Sequence, residues 1–112
     1  MRGTGRAVGL VAAVVALLLP ATASADYVAL GDSYTAGPLI PLQIAPYGCL
    51  KSDRNYAHLA APRLGQPAFR DPSCSGAETE DMTQPQGVTP GPNPPQFDAL
   101  DADTQIVTFT IG

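Results

Sequence analysis

The sequence predicts an α/β fold built around a parallel sheet. Strand-like apolar patterns lie at 27–30, 68–71 and 105–111, and helix-like patterns lie between them at 54–64 and 78–84. Strands that alternate with helices favour βαβ units with right-handed crossovers. The carboxyl ends of the three strands would then meet at one edge of the sheet, which is where open α/β sheets bind ligands.

The first 25 residues predict a secretory signal peptide. Arg2 and Arg6 give a basic start, residues 7–19 are apolar, and Ala23 to Ala25 are small residues suited to cleavage. The apolar run has 13 residues, whereas a membrane-spanning helix needs about 20. We therefore expect a secreted, extracellular protein without a stable membrane span, whose mature chain begins at Asp26.

Without the signal peptide the chain is acidic. It would keep four basic and ten acidic side chains, a formal net charge of −6. The basic side chains are scattered along the sequence, at Lys51, Arg54, Arg63 and Arg70. Because a nucleic-acid binder needs clustered lysine and arginine, this composition argues against nucleic acid as a partner.

The first strand delivers a serine to the edge of the sheet. Residues 27–30 form an unbroken apolar run, which is typical of a strand covered on both faces. Gly31 then allows a sharp turn, so that Ser33 would stand just past the strand's carboxyl end. Gly-Asp-Ser is also common turn chemistry, and Asp32 is assigned a turn role here.

Two segments rich in proline and glycine predict loops. Residues 35–50 form a long loop that would shape a pocket beside Ser33. Residues 85–96 contain five prolines and two glycines, which predicts an extended surface loop.

The first crossover helix is predicted over 54–64. Ser52 or Asp53 would cap its start and Gly65 would end it. Pro62 would deform its last turn. The apolar stripe predicted for this helix consists of Tyr56, Leu59, Ala60 and Leu64.

The second half of the chain repeats the strand, turn and helix order. A weak strand at 68–71 leads into a turn of small residues at 72–77, and residues 97–100 predict one helical turn. The acidic residues Glu78, Glu80 and Asp81 begin the short helix, where they complement its dipole better than they indicate a calcium site. Ser33, Gly76 and Gly112 each follow a strand, so the topology predicts that they converge.

The two cysteines, Cys49 and Cys74, predict one disulfide because the exported chain would enter an oxidising compartment. On the chain-entropy model such a link stabilises the fold by about 3 kcal/mol. Together with a single histidine, and without a C-x-x-C spacing, they fall short of a structural zinc set. We expect no metal site.

Three short blocks resemble the first three sequence blocks of the SGNH, or GDSL, hydrolases, and most closely those of secreted bacterial esterases and lipases. They are Gly31-Asp32-Ser33-Tyr34, Cys74-Ser75-Gly76-Ala77 and Thr110-Ile111-Gly112. The cysteine pair also resembles a disulfide of those lipases. The resemblance implies a flavodoxin-like three-layer α/β/α fold with strand order 2-1-3, truncated after the third strand, in which residues 26–112 are the amino-terminal part of the domain.

The same resemblance implies roles for individual residues. Ser33 matches the nucleophile, the N–H groups of Ser33 and Gly76 match oxyanion donors, and Gly112 matches the start of the third block. The family's oxyanion asparagine and its Asp-x-x-His segment do not occur in these 112 residues. We therefore expect a fragment that is inactive by itself. His58 is expected to be a partly exposed helix residue and not a substitute base.

The resulting hypothesis is a secreted serine esterase or lipase that needs no cofactor. Its substrate would be a small-molecule or lipid ester, and the full-length protein is expected to be a monomer. One alternative is a carbohydrate deacetylase on the same scaffold. Another is a non-catalytic secreted module that presents its proline-rich loop to a partner.

Overall fold

The computed structural model describes residues 26–65 and 68–112, so the predicted signal peptide lies outside the described residues. The helices and strands in this part of the chain are β1 (Asp26–Gly31), α1 (Ser33–Ala36), β2 (Gln43–Ile44), β3 (Lys51–Ser52), α2 (Tyr56–Arg63), β4 (Ala68–Arg70) and β5 (Thr104–Thr110). Single 3-10 turns lie at Tyr47–Cys49, Thr79–Met82 and Gln96–Ala99. Among the described residues, no helix is long and apolar enough to cross a membrane.

β1 is the central strand of a parallel sheet with the order β4-β1-β5. It pairs with β4 only from Asp26 to Val28, but with β5 along its full length, where Gly31 lies opposite Thr110. The predicted α/β fold class and the 2-1-3 strand order are confirmed.

The core is built on both faces of β1. On one face Tyr27 and Ala29 pack with Ala57 and Ala61 of α2. On the other face Val28 and Leu30 pack with Ala77 and Met82. All four apolar residues of β1 are buried, which explains why the strand reads as a continuous apolar run and not as an alternating one.

The predicted start and buried stripe of the crossover helix were wrong. The N-cap is Asn55, whose side-chain oxygen accepts the His58 N–H at 3.0 Å, and not Ser52 or Asp53. The buried residues are Ala57 and Ala61, because only small side chains fit between α2 and the large Tyr27 ring. Three members of the predicted stripe, Tyr56, Leu59 and Leu64, are exposed. Pro62 lies inside the helix, which continues to Arg63.

Both predicted loops are more ordered than their composition indicates. Residues 35–50 include the end of α1 and strand β2, which pairs with β3 as an antiparallel ribbon. The second loop is not confined to the surface. It buries Gln86, Asn93 and Gln96, and an antiparallel bridge joins Gln86 to Asn93. These amides pair with main-chain groups, which a count of prolines and glycines cannot show.

Two predicted helical segments are single 3-10 turns. The predicted helix at 78–84 is the turn Thr79–Met82, and the predicted turn at 97–100 is Gln96–Ala99. The last strand ends at Thr110, one residue before its predicted end. The three predicted sheet strands keep their order, but the second crossover contains 3-10 turns in place of the predicted helix.

Gln96 completes the hydrogen bonding of β1 where β4 no longer reaches it. The side chain is fully buried. Its Oε1 accepts the Gly31 N–H at 2.8 Å, and its Nε2 donates to the Gly31 carbonyl at 2.9 Å. A side-chain amide thus takes the place of a neighbouring strand.

Replacing Gln96 by leucine is expected to destabilise the protein by about 2 kcal/mol, because a buried Gly31 N–H would lose its acceptor. Urea unfolding measures this difference. The matched control is Gln84→Leu, since Gln84 is exposed, and it should change stability by less than about 0.5 kcal/mol. Equal effects of the two substitutions would contradict a structural role for the Gln96 amide.

Candidate active site

The turn after β1 places Ser33 at the carboxyl edge of the sheet. Asp32 is the N-cap of α1, and its Oδ1 accepts the Tyr34 N–H at 3.0 Å. Its own N–H donates to the Thr110 carbonyl at 3.0 Å, which extends the pairing between β1 and β5 by one residue. Ser33 is therefore the first residue of a short helix that is tied to the central strand.

Ser33 carries two polar groups that remain open to a ligand. The residue is partly exposed. Neither its hydroxyl nor its backbone N–H forms a hydrogen bond with any residue in 26–65 or 68–112. A serine whose hydroxyl and N–H have no partner among the described residues can present both to one substrate carbonyl.

The turn that carries Gly76 lies against the same strand end. The Cys74 N–H donates to the Gly31 carbonyl at 3.1 Å, and the Ala77 N–H donates to the Cys74 carbonyl at 3.1 Å. Gly76 is exposed and adopts φ +84°, a region that favours glycine. Its N–H has no hydrogen-bond acceptor within the described part of the chain, so this turn offers a second free donor.

A disulfide joins Cys74, at the start of this turn, to Cys49. Both cysteines are fully buried. The Ser75 N–H also donates to the Cys49 carbonyl at 2.9 Å. The residues that flank Gly76 are thus held by a covalent link and by main-chain hydrogen bonds.

Asp32 also holds the third block of the sequence. Its Oδ2 accepts the Gly112 N–H at 3.2 Å, while its Oδ1 caps α1. The carboxylate is nearly buried, at 9% exposure. The sequence predicted only a turn role for Asp32, because nothing local indicates a contact with a residue 80 positions away.

His58 belongs to a network on the α2 side of the sheet. Its Nδ1 lies 3.0 Å from Asn55 Oδ1 and 3.3 Å from Asp71 Oδ2. Its ring meets Phe69 edge-on, with ring centroids 4.8 Å apart. Asp71 also accepts hydrogen bonds from Asn55 and from Ser73. These contacts brace the end of β4 against the start of α2.

Burial shifts the pKa values of Lys51 and Tyr27, which both lie outside the three blocks. Desolvation lowers the pKa of the Lys51 ammonium, and the nearby Asp71 carboxylate opposes part of that shift. The ammonium donates to the Asp71 carbonyl oxygen. Desolvation raises the pKa of the Tyr27 hydroxyl, which lies 2.8 Å from Thr108 Oγ1. Both groups take part in interior packing.

The acidic residues at 78–81 cap a 3-10 turn. Asp81 Oδ2 accepts the Glu78 N–H at 2.7 Å, and the Asp81 N–H donates to the Glu78 main-chain carbonyl at 3.0 Å. Across residues 26–65 and 68–112, no three His, Cys, Asp or Glu side chains are grouped so that they could hold a metal ion.

The fold is similar to two solved structures. One is phospholipase A1 from Streptomyces albidoflavus NA297, with a TM-score of 0.63 and 30% sequence identity over 80% of this chain. The other is an extracellular lipase from Streptomyces rimosus, with a TM-score of 0.61 and 31% identity over 79% of this chain.

Sequence comparison finds two relatives that are described as lipases. The chain is 45% identical over 95 residues to Lipase 2 of Streptomyces coelicolor, and 34% identical over 107 residues to a lipase of Streptomyces rimosus. These alignments cover 82% and 95% of the chain. The chain belongs to the SGNH, or GDSL, esterase and lipase family.

This SGNH chain spans about a third of the length of the relatives it matches. It covers 30% of Lipase 2 and 36% of the Streptomyces rimosus lipase. It covers 34% of each solved structure. No family model matches the SGNH chain.

Proposed function

We propose that this chain carries the nucleophile of a secreted serine ester hydrolase that acts on lipid esters. One observation supports the proposal most directly. The Ser33 and Gly76 N–H groups lie on two turns that meet at Gly31. Neither N–H group, nor the Ser33 hydroxyl, has a hydrogen-bond partner among the described residues. Acyl transfer needs such preorganised donors, and each is worth about 3 kcal/mol of transition-state stabilisation.

In the proposed reaction, Ser33 Oγ attacks the ester carbonyl carbon and forms a tetrahedral intermediate. The Ser33 and Gly76 N–H groups donate to its oxyanion. The alcohol then leaves with a proton, and water releases the acid from the Ser33 acyl-enzyme. A general base must take the Ser33 proton, and the family's Asp-x-x-His is not in these 112 residues. Residues 1–112 alone are therefore expected to be inactive.

The relatives support the substrate class and the location. Two are described as lipases and one solved structure as a phospholipase A1, all of which act on lipid esters by name. One solved relative is described as extracellular. Together with the signal-peptide pattern at 1–25, this favours secretion.

Covalent labelling with a fluorophosphonate tests the nucleophile. In the mature full-length protein, trypsin releases residues 26–51 as one peptide, because Lys51 is the first basic residue after Asp26. Ser33 is the only serine in that peptide. We expect one phosphonyl adduct there after reduction of the disulfide, and no adduct in the peptide that begins at Asp71 and carries Ser73 and Ser75.

If another serine were labelled while ester hydrolysis was retained, Ser33 would not be the nucleophile. Absence of both labelling and hydrolysis would favour a non-catalytic secreted module.

A further inference from the structure

Residues 34–50, the docking segment, expose large apolar side chains next to the proposed nucleophile. Leu39 is 97% exposed and Tyr34 is 85% exposed. Leu42, Tyr47 and Leu50 are each more than half exposed. Several large apolar side chains exposed within one short segment are typical of a surface that binds a partner or a membrane.

The three exposed leucines also have strained backbones. Leu39, Leu42 and Leu50 adopt φ values of 68°, 65° and 49°. Within the described residues, these are the non-glycine residues with positive φ. Glycine or asparagine would hold this conformation at lower free energy. Because the exposed leucines gain little from packing, the strain indicates a use for their side chains outside the fold.

Hydrogen bonds from neighbouring elements hold the docking segment in this shape. The Asp53 N–H donates to the Leu42 carbonyl at 3.1 Å. Ser52 Oγ donates to the Pro41 carbonyl at 2.8 Å. The leucines are thus presented by a fixed backbone.

Both ends of the docking segment lie at the candidate active site. Its first residue follows Ser33 directly. At its other end, Ser75 Oγ donates to the Leu50 carbonyl at 3.4 Å, and Cys49 is bonded to Cys74. A surface that contacted Leu50 would therefore lie close to the turn of Gly76, and the segment begins directly after Ser33.

The distribution of charge along the chain indicates which kind of surface the docking segment binds. No charged residue occurs from Ser33 to Leu50, whereas the mature chain otherwise carries ten acidic side chains and four basic ones. An acidic protein is repelled by anionic membranes, but a segment without charged side chains is not. Tyrosine and leucine without arginine suit a lipid–water interface better than a protein partner.

We propose that the docking segment binds the surface of an uncharged lipid aggregate, such as zwitterionic phospholipid, by inserting Leu39, Leu42 and Leu50. This role deepens the proposed function and rests on it, since it brings lipid esters to Ser33. Binding is expected to be insensitive to salt, because charges do not drive it.

Vesicle sedimentation tests the proposal without catalysis. The full-length protein with Ser33→Ala is mixed with phosphatidylcholine vesicles. We expect Leu39→Asn to lower the partition coefficient about tenfold, and the triple variant with Leu42→Asn and Leu50→Asn to lower it at least about a hundredfold. Leu59→Asn is the matched control, because Leu59 is 58% exposed but lies on α2, and it should leave binding unchanged.

Thermal unfolding separates docking from a structural role. Asparagine tolerates positive φ, so Leu39→Asn should keep or raise the melting temperature. A lower melting temperature, with vesicle binding unchanged, would show that the leucines are structural and would overturn the docking role.

Two further results would also overturn it. One is binding that requires anionic lipid. The other is a Leu39→Cys thiol that does not react with maleimide in the absence of vesicles, which would mean that another part of the protein covers this face. Hydrolysis of a soluble short-chain ester by protein that keeps Ser33 tests the proposed function separately, so the two failures are distinguishable.

Discussion

Replacing Ser33 by alanine in the full-length protein is expected to lower kcat/KM for a soluble short-chain ester by about 10⁴-fold or more. Loss of the attacking oxygen removes the acyl-enzyme route, while oxyanion donors and substrate binding leave a small residual rate. The fold should be unaffected, because the Ser33 hydroxyl forms no hydrogen bond with the described residues. Initial rates and a thermal melt on the same preparation measure both quantities.

The matched control is Ser75→Ala. Ser75 lies beside Gly76, and its hydroxyl donates only a long hydrogen bond, at 3.4 Å, to the Leu50 carbonyl. Its loss should change kcat/KM by less than about tenfold, the equivalent of one weak hydrogen bond. If Ser33→Ala retained most of the activity while remaining folded, Ser33 could not be the nucleophile.

The largest effect on stability is expected for Gly31→Ala, at about 4 kcal/mol or more. A Cβ at this position would lie 2.5 Å from the Thr110 carbonyl oxygen and 2.7 Å from Thr110 Oγ1. Gly31 also has φ +148°, which side-chain-bearing residues rarely adopt. Either β1 or β5 would have to move, and with it the turn that carries Ser33. Urea unfolding, or the yield of folded protein, measures the effect.

Two other glycines separate backbone strain from crowding. Gly65 has φ +65° with open space around it, so Gly65→Ala should cost about 1 kcal/mol from strain alone. Gly87 has neither positive φ nor close neighbours, and Gly87→Ala should be close to neutral. A Gly31→Ala cost no larger than that of Gly65→Ala would show that the contact with Thr110 relaxes easily.

The elements that the sequence predicted well are those whose pattern is local. Residues 27–30 are apolar because β1 is covered on both faces, and β1 is the central strand because it pairs with β4 on one side and β5 on the other. The wrong stripe on α2 has a tertiary cause. The helix packs beside Tyr27 through Ala57 and Ala61, and nothing in the helix sequence shows that larger residues must face solvent.

For the candidate site, the sequence could predict which segments meet but not the contacts that hold them together. Parallel strands bring the segments of Ser33, Gly76 and Gly112 to one edge, and contacts of Gly31 and Asp32 join these segments in the structure. The contacts themselves join residues far apart in the chain. Asp32 holds Gly112, and Gln96 holds Gly31. Such pairs leave no periodicity that a single sequence can reveal.

The amide of Gln96 also has an evolutionary consequence. β1 changes its partner part-way along its length, from the main chain of β4 to a side chain supplied by a proline-rich loop. Selection should therefore conserve Gln96 as strictly as the buried Leu30, while the exposed neighbours Pro94 and Phe97 drift. In an alignment of related sequences, Gln96 should therefore stand out as an invariant position between variable neighbours.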